Sequence, residues 1–242
     1  MKRLIVNADD FGLCAAVNQG TARAHDAGVV SSASLMVRRA DAEAASALAG
    51  QRPALSLGLH LDIAEWVHGP DGWAPLYRVV DAGDAAAVRA EARRQLERFR
   101  ALCNADPTHI DSHQHVHREE PCATVVRELG AELGVPVREA TAGVTYRGDF
   151  YGQTGRGDPL PAAITVAALI RIVDTLPDGI TELGCHPAVA GDIDSVYGAE
   201  RAVELRTLLD PGVNQALRRH GVTLISFAQL RHVAGGPRHA HA

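Results

Sequence analysis

Asp9 and Asp10 stand side by side at the end of the apolar run 3–8. Along an extended chain adjacent side chains diverge, so one carboxylate can ligate a metal while its neighbour faces the water bound to it. The alternative is an acidic strand-to-helix cap, favoured by the helix dipole. A second group, Asp111-Ser112-His113-Gln114-His115-Val116-His117, repeats imidazoles at a spacing of two. If that stretch is extended, the three histidines share one face and Asp111 joins them. Three same-side imidazoles repel when protonated and are costly to bury alone, so a metal or a substrate anion is the economical explanation; a solvated histidine-rich loop is the other.

His60 and His186 close two further apolar runs. A lone histidine in such a place is ordinarily a satisfied core residue, but four runs ending in acids or imidazoles point to a shared site. Asp10, His60 and His113 would form a two-histidine, one-carboxylate centre, which leaves positions for water and substrate. A divalent ion there lowers the pKa of its water toward about 7 and polarises a carbonyl. Asp9 would then act as general base, and His186, stiffened by Pro187, as the acid that protonates a leaving nitrogen. For His186 a structural hydrogen-bonded role is the alternative. His25, His68, His220 and His232, with His239 and His241 near the C-terminus, read as surface residues.

The elements that must deliver these residues are short apolar runs at 3–8, 32–37, 55–61, 109–112, 135–138, 180–185 and 222–226. Amphipathic or Ala-rich stretches at 15–27, 40–49, 85–102, 123–133, 162–175 and 199–209 lie between them. Alternation of this kind predicts a single α/β domain over residues 1–234, with a parallel sheet of about seven strands covered by helices, and a flexible tail at 235–242. Ligands in such folds bind at the carboxyl ends of the strands, where the acids and histidines fall. Segments 62–80 and 141–161 read as irregular. They hold six of the ten aromatic residues: Trp66, Trp73, Tyr77, Tyr146, Phe150 and Tyr151. Aromatic planes pack against the apolar faces of sugars, so these loops could wall a saccharide cleft; pinning their own loops is the alternative.

Composition excludes several classes. Lys2 is the only lysine, which removes a P-loop or Schiff-base lysine elsewhere. A formal charge of −5 argues against nucleic-acid binding. The four cysteines include no CxxC pair. The first ten residues read as a strand rather than a signal peptide, and no apolar run approaches membrane-spanning length, so the expectation is a cytoplasmic protein without membrane insertion.

Asn7-Ala8-Asp9-Asp10-Phe11-Gly12, Gly58-Leu59-His60-Leu61, His109-Ile110-Asp111-Ser112-His113-Gln114-His115-Val116-His117 and Cys185-His186-Pro187 together resemble the YdjC-like carbohydrate deacetylases. The similarity runs from Met1 to about Leu230, with the motifs in the family's order. The resemblance implies a deformed (β/α) barrel, one divalent metal ion and hydrolysis of an N-acetyl group from an amino sugar. Carried over, the metal ligands are Asp10, His60 and His113, and Asp9 is the catalytic carboxylate. Ala188 replaces a glycine common in relatives, and Asp62 stands where Asn or Thr is usual; both leave the reaction alone and bear on the substrate.

The expected substrate contacts are His115, His117, Trp66, Arg138 and Tyr151. Two imidazoles favour Zn2+ on ligand softness, whereas relatives are often described with Mg2+. Relatives suggest a homodimer, which no residue pattern specifies. The leading expectation is a metal-dependent amide hydrolase acting on a small N-acetylated saccharide. A metal-dependent phosphoesterase is the second reading, disfavoured by the lack of a second acidic cluster or an Arg fork. The third, a non-catalytic sugar- or metal-binding module, has no use for a base beside the metal water.

Overall fold

The strands are β1 (Lys2–Phe11), β2 (Ser32–Leu35), β3 (Ser56–Leu61), β4 (Ala64–Gly69), β5 (Gly72–Arg78), β6 (Ile110–Ser112), β7 (Val144–Arg147), β8 (Gly179–Cys185) and β9 (Thr223–Leu224). The helices are α1 (Ala15–Asp26), α2 (Ala42–Gly50), α3 (Ala85–Cys103), α4 (Cys122–Leu133), α5 (Val166–Asp174), α6 (Ala199–Leu208), α7 (Pro211–Arg219) and α8 (Phe227–Ala234). The structure, a computed structural model, describes residues 1–191, 193 and 195–234. The tail expected at 235–242 therefore lies outside the described residues, with His239 and His241.

Seven strands form one parallel sheet in the order β6-β3-β2-β1-β8-β7, with β9 beside the start of β1. This is the expected deformed barrel in a single α/β domain. It is incomplete: among the described residues β6 and β7, the outer strands, do not pair with each other.

Alternation along β1 explains the layers. Leu4, Val6 and Ala8 face the helices and join the main core, while Ile5 packs with Ile225, Phe227 and Leu230. Asn7 and Asp9 follow Ile5 on the same side, as a period of two requires. Helix α8 thus plugs the bottom of the barrel, with the Phe227 ring stacked at 3.9 Å on that of His109. Outside, α3 buries Val88, Ala92, Leu96 and Phe99 at helical spacing. The Asp84 side chain caps its first turn by accepting from the Ala86 and Ala87 amides at 2.9 and 3.1 Å.

The structure corrects the sequence reading in several places. Segment 135–138 is no strand: it makes one bridge, Val137 to Ile110, because Pro136 has no N–H to extend a ladder. The strand on the other side is β7, inside the segment read as irregular. The first irregular segment contains the antiparallel hairpin β4–β5. The run 222–226 shortens to β9, and α7, which the sequence reading omitted, starts at Pro211 with Asp210 as its cap. The histidine stretch is not extended either. The chain turns into a short 3-10 segment, His113–Arg118, with Gln114 and His115 in the left-handed region at φ 49° and 55°. The three imidazoles therefore do not share a face.

Candidate active site

The first strand supplies both carboxylates, and its last turn separates them. Asp9 continues the inward face. Asp10 has φ 61°, a left-handed conformation that costs a β-branched residue more than an aspartate. That twist lets neighbours reach one cavity from different sides.

Asp9 is tied to the barrel interior. Arg138 donates to its two oxygens at 2.6 and 2.7 Å, and Asn7 Nδ2 donates to Oδ1 at 2.8 Å. Burial opposes the charge on Asp9, yet Arg138 holds its carboxyl below the usual range. The same guanidinium pairs with Asp111 at 2.8 Å and Glu182 at 2.7 Å. Burial pushes Glu182 up to about 7 against that pairing.

Asp10 faces the imidazoles. Its Oδ1 lies 2.9 Å from His113 Nδ1 and 3.3 Å from His60 Nε2, while Arg201 donates to Oδ2 at 2.6 Å. On its far side, His60 Nδ1 is 2.7 Å from Asp111 Oδ1. Burial disfavours charge on either imidazole, but Asp111 and Asp10 raise His60 to about 10, and Asp10 raises His113 to about 9. Burial likewise opposes the Asp10 charge, and Arg201 and His113 hold its carboxyl well below the usual range.

Asp10, His60 and His113 each offer a ligand atom, all within 4.8 Å of one another. The donor set fits a divalent cation: two imidazoles and a carboxylate, with the outer nitrogen of His60 oriented by a carboxylate. Among the described residues two other groups have the same spacing. Asp9-His60-Asp111 is already neutralised by Arg138, and in His115-His117-Glu139 the carboxylate is held by Arg118 at 2.5 and 2.8 Å.

His186 follows β8 and turns its ring toward the same point. Its Nε2 is 3.9 Å from Asp9 Oδ2, its Nδ1 3.8 Å from Glu204 Oε1, and its amide donates to Glu204 Oε2 at 2.5 Å. Burial brings the imidazole down to about 4, so it rests neutral, and pushes Glu204 up to about 8. Tyr151 stacks on Tyr197 at 4.3 Å, and both rings meet His186 edge-on.

These groups open into a cleft of about 1090 Å³, walled by Trp66, His68 and Trp73 of the hairpin and by Tyr146, Phe150 and Tyr151 opposite. The volume lies just above the usual range of small-ligand pockets, roughly 300–1,000 Å³. Of the residues expected to touch substrate, Trp66, His115 and Tyr151 line the cleft. His117 and Arg138 do not. His117 is buried with Nδ1 2.6 Å from Ser112 Oγ, a consequence of the 3-10 turn. Arg138 is buried, and its guanidinium is committed to Asp9, Asp111 and Glu182.

Sequence reasoning missed Glu65, Tyr197, Arg201 and Glu204, which lie around these groups. A signal existed for two of them. Arg201 and Glu204 share a helical face with Leu205 and Leu208, so charged residues stand on the buried side of α6. Glu65 carried no such mark, lying in a segment read as irregular.

The YdjC-like protein family model matches residues 3–219. A chitooligosaccharide deacetylase of Serratia marcescens is 34% identical over 255 residues, covering 95% of this chain and 99% of its own. A carbohydrate deacetylase of Geobacillus stearothermophilus is 32% identical, covering 93% and 97%. Among solved structures, a protein of Enterococcus faecalis V583, provisionally described as a cellobiose-phosphate cleavage protein, superposes with a TM-score of 0.77. It is 26% identical and covers 95% of this chain and 98% of its own.

Proposed function

The chain belongs to the YdjC-like family, and from that premise we propose that its cleft hydrolyses the acetamide of an N-acetylated amino sugar to the free amine and acetate. Carbohydrate deacetylation is the activity its relatives are named for, and it is the activity of this chain. Asp10, His60 and His113 would hold one divalent ion, which when bound would polarise the amide carbonyl and lower the pKa of its water.

The remaining steps belong to the chain's own side chains. Asp9, kept ionised and fixed by Arg138, takes a proton from the attacking water as the new C–O bond forms. His186 delivers a proton to the sugar nitrogen as the C–N bond breaks. Since this imidazole rests neutral, the proton is one it gains within the cycle, passed from Asp9 through one water across the 3.9 Å between Asp9 Oδ2 and His186 Nε2. Trp66, His115 and Tyr151 contact the saccharide, and the cleft suits a short acetylated saccharide of more than one ring.

The observation that supports this reading most is the division between the two carboxylates: Asp10 turned to two imidazoles, Asp9 turned to a guanidinium and facing His186. The site serves an amide hydrolase better than a phosphoesterase, because Arg138 is committed to Asp9, Asp111 and Glu182, and Arg201 gives two of its three nitrogens to Asp10 and the Tyr197 carbonyl. The test is acetate release from N,N'-diacetylchitobiose by chelator-treated protein supplied with Zn2+ or Mg2+, beside phosphate release from a generic phosphodiester. Metal-dependent acetate release alone is expected. Phosphate release alone would replace the reading.

A further inference from the structure

His60 and His113 differ in how their outer nitrogens are held. His60 has Asp111 at 2.7 Å, whereas His113 Nε2 is buried without a hydrogen-bond partner and faces Glu65 Oε2 at 3.5 Å. Glu65 is itself buried, and it comes from the hairpin β4–β5 rather than from the barrel. A register shift in the hairpin falls between Glu65 and Trp66, where a bulge re-aims side chains. The next residue along each segment is joined as well. Trp66 donates its amide to Gln114 Oε1 at 2.7 Å, and Gln114 Nε2 donates to the Trp66 carbonyl at 2.9 Å. Residues 65 and 66 of the hairpin therefore meet residues 113 and 114 of the histidine turn. The hairpin base is clamped separately: Tyr77 donates to Asp62 at 2.6 Å, and Arg39 reaches Asp62 at 3.4 Å and Glu65 at 3.5 Å.

We propose that Glu65 is the positioning residue for His113, as Asp111 is for His60, so that filling the metal centre docks the β4–β5 hairpin over the cleft. The proposal rests on the reading of Asp10, His60 and His113 as metal ligands. Imidazole that ligates through one nitrogen donates the other N–H, and a carboxylate is the partner that fixes its orientation. Coupling of this kind is reciprocal: a hairpin that orders the ligand must be ordered by the metal.

Both tryptophans of the chain, Trp66 and Trp73, lie on this hairpin, so indole emission reads the hairpin alone. Full-length, chelator-stripped protein is titrated with Zn2+ by calorimetry and by tryptophan emission. Wild type is expected to show an emission change that tracks binding. Glu65→Ala should bind Zn2+ about 10–100-fold more weakly and lose the emission change at saturation, with Glu65→Gln between the two. Zn2+ affinity within threefold of wild type in Glu65→Ala, or an unchanged emission response, overturns the proposal. If circular dichroism shows that the alanine variant does not fold, the isosteric Glu65→Gln decides: behaviour equal to wild type in both measurements overturns it. Failure of wild type to bind Zn2+ overturns the metal-ligand reading itself, a result distinct from wild-type binding that Glu65 does not influence.

Discussion

Arg138 grips Asp9 through two nitrogens, at 2.6 and 2.7 Å, from a position with no access to the cleft. A guanidinium in that geometry orients the carboxylate and keeps it charged. It also makes Arg138 the hub of a buried network with Asp111 and Glu182. The network lies between β6 and β7, which among the described residues do not pair with each other.

Removing that hub should cost stability before it costs specificity. Arg138→Leu leaves three carboxylates without their shared cation, and breaking buried pairs in this way costs about 3–5 kcal/mol. Denaturant unfolding checks it. A midpoint equal to wild type would show that the network is not what holds this part of the barrel.

Trp66→Ala should leave metal content and fold unchanged and weaken saccharide binding by about 1–3 kcal/mol, the range for losing a large aromatic contact. Arg78, 5.0 Å above the indole, backs the ring on one side. Saturation kinetics on an acetylated disaccharide measure the effect. A KM equal to wild type would assign Trp66 to hairpin packing instead.

Proton release tests the electrostatics of the proposed ligands. His60 and His113 are raised from 6.5 to about 10 and about 9, so both are cationic at neutral pH, and a metal must displace their protons. The sign follows: stability from these raised groups is full below 6.5 and is lost as pH rises through about 9 and then about 10. Zn2+ binding at pH 7 should therefore release roughly two protons per ion, falling as pH passes those values. Calorimetry in buffers of different ionisation enthalpy counts them. No release at pH 7 would contradict the arrangement.

Much of this was legible in the residues, for identifiable reasons. Apolar runs ending in Asp10, His60, Ser112 and Cys185 lie in parallel strands whose carboxyl ends share a rim, so motif position along the chain became position in space. What failed was local geometry that tertiary contacts impose. The spacing of His113, His115 and His117 suited an extended strand, but left-handed Gln114 and His115 wind it into a turn. Arg138 stood where a strand end would aim it at substrate, and three buried carboxylates draw it inward instead. The hairpin that brings Glu65 and Trp66 to the site is half exposed and interrupted by Pro75, which hid its strand pattern.

The proposed roles give two adjacent carboxylates different work, and one comparison separates them: metal content by elemental analysis beside turnover, for Asp9→Asn and Asp10→Asn dialysed against the same weak chelator. Asp10→Asn should lose both metal and activity. Asp9→Asn should keep metal near wild-type occupancy while turnover falls by about 10²–10⁴, the usual worth of a positioned general base. Asp9→Asn emptying the site while Asp10→Asn stays filled would contradict the account by reversing the two roles.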